Sequence, residues 1–435
     1  MKYADSILDI PNAFNASPLN EDELKEFYCD KTMEIRTGDK YDSPILDIYE
    51  ACQNPSDHNT FLLLGHKGCG KSTELNKMAA QLINKGYQVY NIKCSRDLDM
   101  NNPLYFDLLI LMGEALLQIA ENINCNLNSK IIEGIRSFWT TEIDEYYTTS
   151  ETDGLSVEGG MQAETPGFIS TILQVFVKVK ADLKYSEEKR KEYRKKISHR
   201  SREWLFMLRQ ISDEITTELE GKQPIIIFED LDKIDAQDAW DVFSNNAATL
   251  TGMHFPVIYT FPIALYYDTR FTALEGYFIV KMLPMIKIEA MDGAVYQEGI
   301  DVIFEIAKKR AELNLFEENV LETLIKKTGG SLRDLFYVIN ASAQRAIRRD
   351  AEVISIEDIQ SALEELKSSL TRRIERKHYE FLKDIYTGNH QAIEDREMLL
   401  TMLQADAVLE YNKTRWHNVH PLVTEFLREL ELAGK

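Results

Sequence analysis

Residues 59–75 read NTFLLLGHKGCGKSTEL, in which Gly65, Gly68 and Gly70 are followed at once by Lys71, Ser72 and Thr73. The spacing G-x-x-x-x-G-K-S/T suits a phosphate chain. Glycines let consecutive backbone N–H groups turn inward without a Cβ in the way, and the lysine brings a point charge to the β- and γ-phosphates. The serine hydroxyl suits Mg²⁺, and a helix opening at Lys71 aims its positive end at the anion. The expected nucleotide contacts are therefore Gly65, His66, Lys67, Gly68, Cys69, Gly70, Lys71, Ser72 and Thr73. The plainer alternative is a glycine turn that binds nothing.

Such a loop calls for a second apolar strand ending in acids that hold a metal and polarise water. The run PIIIF at 224–228 is followed by Glu229, Asp230, Leu231 and Asp232. Acids at the carboxyl end of a central parallel strand sit at the crevice where ligands bind. Glu229 is read as the metal-side acid with Ser72, and Asp230 as the group that positions water, although the Glu-Asp order leaves the two roles interchangeable. Asp232 is either a supporting residue or a solvated acid starting a helix. The run HFPVIYTFP ends a further strand at Thr260, a polar side chain placed to sense a γ-phosphate or simply to end a strand. In TGGSLRDLF, Gly329 and Gly330 close one helix and Arg333 opens the next, within reach of a phosphate across a domain boundary.

Taken together, GHKGCGKST, IIIFEDLD, the strand ending at Thr260 and GGSLRD resemble the AAA+ ATPases over residues 30–435, and among them the origin-recognition-like initiators and the neighbouring STAND and KAP-type NTPases. The resemblance implies an α/β fold: a P-loop NTPase parallel sheet flanked by helices, then an all-α lid, then a C-terminal winged-helix domain. It implies an ATPase using ATP and Mg²⁺ and cycling to ADP, with Lys71, Glu229, Asp230, Thr260 and Arg333 in catalytic roles. Thr260 would be its sensor 1 and Arg333 its sensor 2. Arg270, in DTRFTALEG, is either a finger offered to a neighbouring subunit or an exposed surface residue.

The elements that must position these groups divide the chain as follows. Residues 1–58 lead into the core, and 39–54 would cover the adenine. Residues 59–290 form the ATPase core, 291–370 the lid and 371–435 the winged helix. Length alone gives a prior of roughly three domains. About 130 residues separate the second strand, YQVYNIKC at 87–94, from PIIIF, so a largely helical insertion spans about 100–222. Within it 104–135 reads as helix, 140–166 as a mobile polar loop, and 175–185 as a strand or hairpin arm, because Val175, Val177, Val179, Ala181, Leu183 and Tyr185 alternate with polar residues. EEKRKEYRKKISHRSRE then opens a long helix with eight Lys/Arg against four Glu, read as a solvated face or an anion patch. In the lid, Ser355 and Asp358 have capping-box spacing. At the end of the chain, helix at 396–404, AVLEY, a turn, WHNVH and a further helix make the winged-helix pattern, whose hairpin tip offers only Lys413 and Arg415. His417 and His420 lack a third ligand at metal spacing and read as packing.

Composition limits the partners. Fifty Lys/Arg against 71 Asp/Glu leave a net charge of −21, a field that repels polyanions at long range. The cysteines at 29, 52, 69, 94 and 125 show no paired spacing, which fits reduced thiols in a cytoplasm. No apolar stretch reaches the ~18 residues of a membrane span. The expectation is a soluble, nucleotide-controlled switch acting on itself or on a separate effector, with a bacterial defence or signalling system as a setting that would suit it. The alternative is an initiator-like DNA-binding ATPase or loader using the winged helix and the basic helix.

Overall fold

Apolar runs bounded by polar turns become the five strands of one parallel sheet: β1 Thr60–Gly65, β2 Val89–Lys93, β3 Ile225–Glu229, β4 Val257–Pro262 and β5 Ile279–Met282. They lie in the order β2-β3-β4-β1-β5. The three central strands are buried along their whole length, as expected of β-branched and leucine runs covered by helices on both faces. The computed structural model describes residues 1–54, 58–144, 168–388, 393–411 and 416–433. The register pairs Lys93 with Glu229 and Gly65 with Pro262, so the strand ends that carry the chemistry form one rim.

The connection from β2 to β3 is helical throughout its described part. The helix expected over 104–135 is two, Tyr105–Asn122 and Ser129–Phe138, broken where Asn124 adopts a φ of 53° and restarted by the Asn128 cap. The arm expected as a strand over 175–185 is corrected to the helix Phe168–Tyr185. Ile172, Val175, Phe176, Val179 and Leu183 are fully buried at helical spacing, whereas Val177 and Tyr185 are 63% and 80% exposed. Positions 175, 179 and 183 satisfy both a period of two and a period near four, so alternation misleads here. Most of the loop read over 140–166 lies outside the described residues.

The next helix, Glu187–Glu218, is the long helix expected there; it starts on a Ser186 cap, and its basic residues turn largely inward or onto their own acids. Arg194 donates to Asp107, Arg190 pairs with Asp99, Lys196 with Glu142, and Lys191 and Arg200 with Glu187 and Glu203. Charge spent on bracing helices leaves less for an anion patch. Trp139 packs edge-on to Phe176 and Trp204 in the middle of the insertion, within the same hydrophobic core that holds Phe228 and Tyr259 of the sheet. The insertion and the sheet share one core.

After β5, the helices Gln297–Lys308, Val320–Lys327, Leu332–Arg348 and Ile356–Thr371 make the helical segment expected as the lid, and the Ser355–Asp358 capping box is present. Residues 4–14 join this lid rather than the nucleotide core: Phe14 packs edge-on to Phe316 and Phe336, and the Asn340 side chain donates to its carbonyl at 2.8 Å. The chain ends in the helices Tyr379–Tyr386 and Arg396–Gln404, the antiparallel hairpin β6 Val408–Tyr411 and β7 Trp416–Val419, and the helix Pro421–Ala433. Lys413 and Arg415 lie outside the described residues. No helix is long and apolar enough to cross a membrane among the described residues.

Candidate nucleotide site

The loop after β1 has the backbone its glycines predict. Gly68 and Gly70 take φ of 82° and 102°, conformations that side-chain-bearing residues rarely adopt, and Gly70 caps the helix Lys71–Asn84. Space is also short, since a Cβ on Gly68 would overlap the Cβ of Arg333. Lys71 is buried, and its ammonium donates to the carbonyls of Gly65 at 2.8 Å and His66 at 2.9 Å while pairing with Asp232 at 2.8 Å. Burial pulls its pKa down, but the Asp232 charge and hydrogen bond prevail and leave it above the ordinary lysine value. Asp232 is thus a buried partner of the loop lysine and not a solvated turn acid.

The acids after β3 separate by environment. Glu229 is buried near Ser72; burial raises its pKa, and the Ser72 hydroxyl and Lys93 only partly offset that. Its Oε1 is buried without a hydrogen-bond partner. An orphaned carboxylate oxygen next to a serine hydroxyl is a donor set suited to Mg²⁺, a hard cation that takes oxygen ligands. Asp230 adopts a left-handed φ of 72° and accepts from Ser95 and Lys233. Burial works against its charge, yet those two donors hold its pKa below the ordinary value.

Around these groups lies a cavity of about 660 Å³, within the ~300–1,000 Å³ usual for small-molecule sites. Lys67, Gly68, Gly70, Lys71, Ser72 and Thr73 line it together with Glu229, Asp230 and Arg333. Leu19, Phe27, Ile306 and Phe336 contribute apolar side chains to the same lining. The N-terminal segment that lines the cavity is 16–36, not 39–54: the helix Pro44–Gln53 packs instead against the glycine-loop helix and β5. Thr73 and Asn76 tie down Leu19, and Glu74 accepts from the Tyr28 hydroxyl at 2.8 Å.

Several expected residues stand behind the site. Gly65, His66 and Cys69 do not line the cavity; they offer carbonyls to Lys71 and, from Cys69, to Arg36. Thr260 also lies away from the cavity. Its hydroxyl accepts from the Leu231 N–H at 3.1 Å and donates to the Phe228 carbonyl at 3.3 Å, and so shapes the turn carrying the acids. Arg270 pairs with Asp268 and lies over the Trp240 ring at 4.7 Å. His417 meets the Tyr267 hydroxyl at 2.9 Å, while His420 accepts from the Leu422 N–H. Among the described residues the one grouping with metal-ligand geometry is Glu364, Glu425 and Glu429, and Lys367 is ion-paired with all three.

Two features escape sequence reasoning. Arg36, buried on the helix Thr32–Thr37, donates to the carbonyls of Cys69 and Pro284 and ties the loop to the segment after β5. The C-terminal hairpin also reaches the loop. His66 Nε2 accepts from the Glu410 N–H at 2.9 Å, Asp406 pairs with Arg333 at 3.1 Å, and the Tyr411 hydroxyl donates to the Gly329 carbonyl at 2.7 Å. No motif spacing marks either contact, because each joins positions far apart in the chain.

No protein-family model matches the sequence, and no curated protein matches it. Among solved structures, the chain is similar to the Cdc6p protein of Pyrobaculum aerophilum at 14% identity, over 96% of this chain and 98% of that one, with a TM-score of 0.39. It is similar to the ORC2 protein of Aeropyrum pernix in its ADPNP–ADP complexes at 10% identity, over 89% and 93%, with a TM-score of 0.39. It is also similar to a single-substitution variant of RuvB from Thermotoga maritima at 10% identity, over 95% and 98%, with a TM-score of 0.36. At these values the likenesses assign no family.

Proposed function

We propose that this protein is a Mg²⁺-dependent, AAA+-type P-loop ATPase in which the nucleotide state sets the docking of the lid and C-terminal domain, to be read by a second copy or an effector. The observation that carries this reading is convergence: Lys71 after β1, Glu229 at the end of β3 and Arg333 from the helix Leu332–Arg348 line one cavity, together with the apolar side chains of Leu19, Phe27, Ile306 and Phe336. The glycine-loop amides and Lys71 would bind the β- and γ-phosphates, and Leu19, Phe27, Ile306 and Phe336 would take the base. Ser72 and Glu229 would hold Mg²⁺, which when bound supplies positive charge to the phosphate oxygens. Asp230, held at the rim by Ser95 and Lys233, would orient the attacking water and accept its proton as the bond to the leaving phosphate oxygen breaks. Arg333 would meet charge on the γ-phosphate.

The inward pairing of the basic helix favours this switch over a DNA loader. Titration with ATP in Mg²⁺ tests the proposal: wild type should bind and turn over ATP, and Lys71→Ala should lose both. Equal turnover by Lys71→Ala would remove the assignment. A gel shift at two salt concentrations should show no specific DNA complex.

A further inference from the structure

We infer that Asp406, in the turn between the helix Arg396–Gln404 and β6, sets the preference of this site for nucleoside diphosphate over triphosphate by competing with the terminal phosphate for Arg333. The inference rests on the reading of Arg333 as the γ-phosphate residue. Its grounds are geometric. The Arg333 side chain crosses directly over Gly68, at the point a Cβ on that glycine would occupy. Its guanidinium is taken by two carboxylates, Asp406 Oδ2 at 3.1 Å and Asp334 Oδ1 at 3.4 Å. The other oxygen of Asp406 stands 3.6 Å from His66 Nδ1, inside the glycine loop. Because His66 Nε2 accepts the Glu410 N–H, the proton of the neutral ring belongs on Nδ1 and faces Asp406. Asp406 is held there in a left-handed backbone, φ 55°, that non-glycine residues seldom adopt.

A carboxylate is thus seated between the phosphate loop and the arginine that would close on the last phosphate. A triphosphate that reaches Arg333 brings negative charge beside Asp406 and must break or share its ion pair. A diphosphate ends one phosphate short and leaves the pair intact. Asp406 therefore penalises one nucleotide and not the other, opposing the preference for triphosphate that Lys71, reaching the γ-phosphate, would give. Asparagine at this position keeps the shape and a hydrogen-bonding oxygen but removes the charge.

The test is calorimetric titration of the full chain with ATP and with ADP, each in Mg²⁺, for wild type and Asp406→Asn. The expected result is ATP affinity raised about tenfold, within the usual range of coupling between sites, and ADP affinity changed less than twofold. In an Arg333→Gln background the ATP gain should vanish. Equal shifts for both nucleotides would overturn the inference by reducing Asp406 to a structural tether, as would an ATP-to-ADP ratio that is unchanged or falls. Asp406→Ser provides the same comparison should the asparagine variant not fold. A wild-type chain that binds neither nucleotide would overturn the ATPase reading itself, a result separable from normal binding with an unmoved ratio.

Discussion

Replacing Asp232 by asparagine removes the counter-charge of a buried lysine while leaving volume nearly unchanged. Lys71 and Asp232 are both buried and stand 2.8 Å apart, so their bare attraction is about 6 kcal/mol at an effective dielectric constant of ~20. The net loss is smaller, because Lys71 keeps the Gly65 and His66 carbonyls as acceptors. Removing one partner of a buried pair costs about 3–5 kcal/mol, and the retained carbonyls bring the expected loss down to about 2–3 kcal/mol, drawing on the ~1.5–3 kcal/mol of hydrogen bonds to charged groups. That corresponds to roughly 30- to 160-fold faster hydrogen exchange at the loop amides, provided exchange proceeds by local opening. A bound triphosphate replaces the missing charge, so saturating ATP should return exchange in Asp232→Asn to within about twofold of ATP-bound wild type. Hydrogen exchange followed on peptides covering 65–73, with and without ATP, makes the comparison. Protection unchanged in the nucleotide-free variant would refute the ion-pair argument, and a deficit that persists undiminished in ATP would refute the claim that phosphate and Asp232 serve the same lysine.

Three further outcomes follow from the geometry. Burial raises the pKa of Glu229, so its penalty is absent below the ordinary glutamate range and grows as pH rises through the raised value. Glu229→Gln should therefore melt higher than nucleotide-free wild type at neutral pH, with the gap closing on acidification, and should lose Mg²⁺-dependent ATP binding; a gap independent of pH would contradict this. Gly68→Ala should weaken ATP binding more than tenfold and lower the melting temperature, because the added carbon meets the Cβ of Arg333, which no rotamer change can move. Normal affinity in that variant would mean that Arg333 does not cross the loop. Val179→Asp should destabilise the insertion by about 3 kcal/mol or more, as expected for an unpaired charge in a core, while Val177→Asp should be nearly neutral. Similar urea midpoints for the two would favour a strand over the helix.

The parts of the site legible in the sequence are those whose physics is local. Three glycines, a lysine and a hydroxyl within eight residues after an apolar strand mark a tight turn opening a helix, and PIIIF followed by acids marks the strand end beside it. Sequence does not rank Glu229 and Asp230, because the distinction arises from Ser72, Ser95 and Lys233, which reach them through space. The resemblance to AAA+ proteins points to 39–54 as the base-covering segment, whereas the cavity is lined by 16–36, pinned through Asn76 and Glu74 of the glycine-loop helix. The valines of 175–185 show the limit of periodicity, since positions four apart belong to both repeats and only burial of Ile172 and Phe176 decides. Arg36 and Asp406 carry no signature, because each acts on backbone or side chains whose place depends on the finished fold.

The hydrogen bond from the Glu410 N–H to His66 spans 344 residues of chain. During synthesis the glycine loop therefore leaves the ribosome long before the strand that buttresses it, by roughly 20–70 s at ordinary elongation rates. Over that interval the nascent chain carries the glycine loop with neither Asp406 beside it nor the hairpin packed behind it, so under the proposed function a nucleotide caught early would meet a site different from that of the released protein.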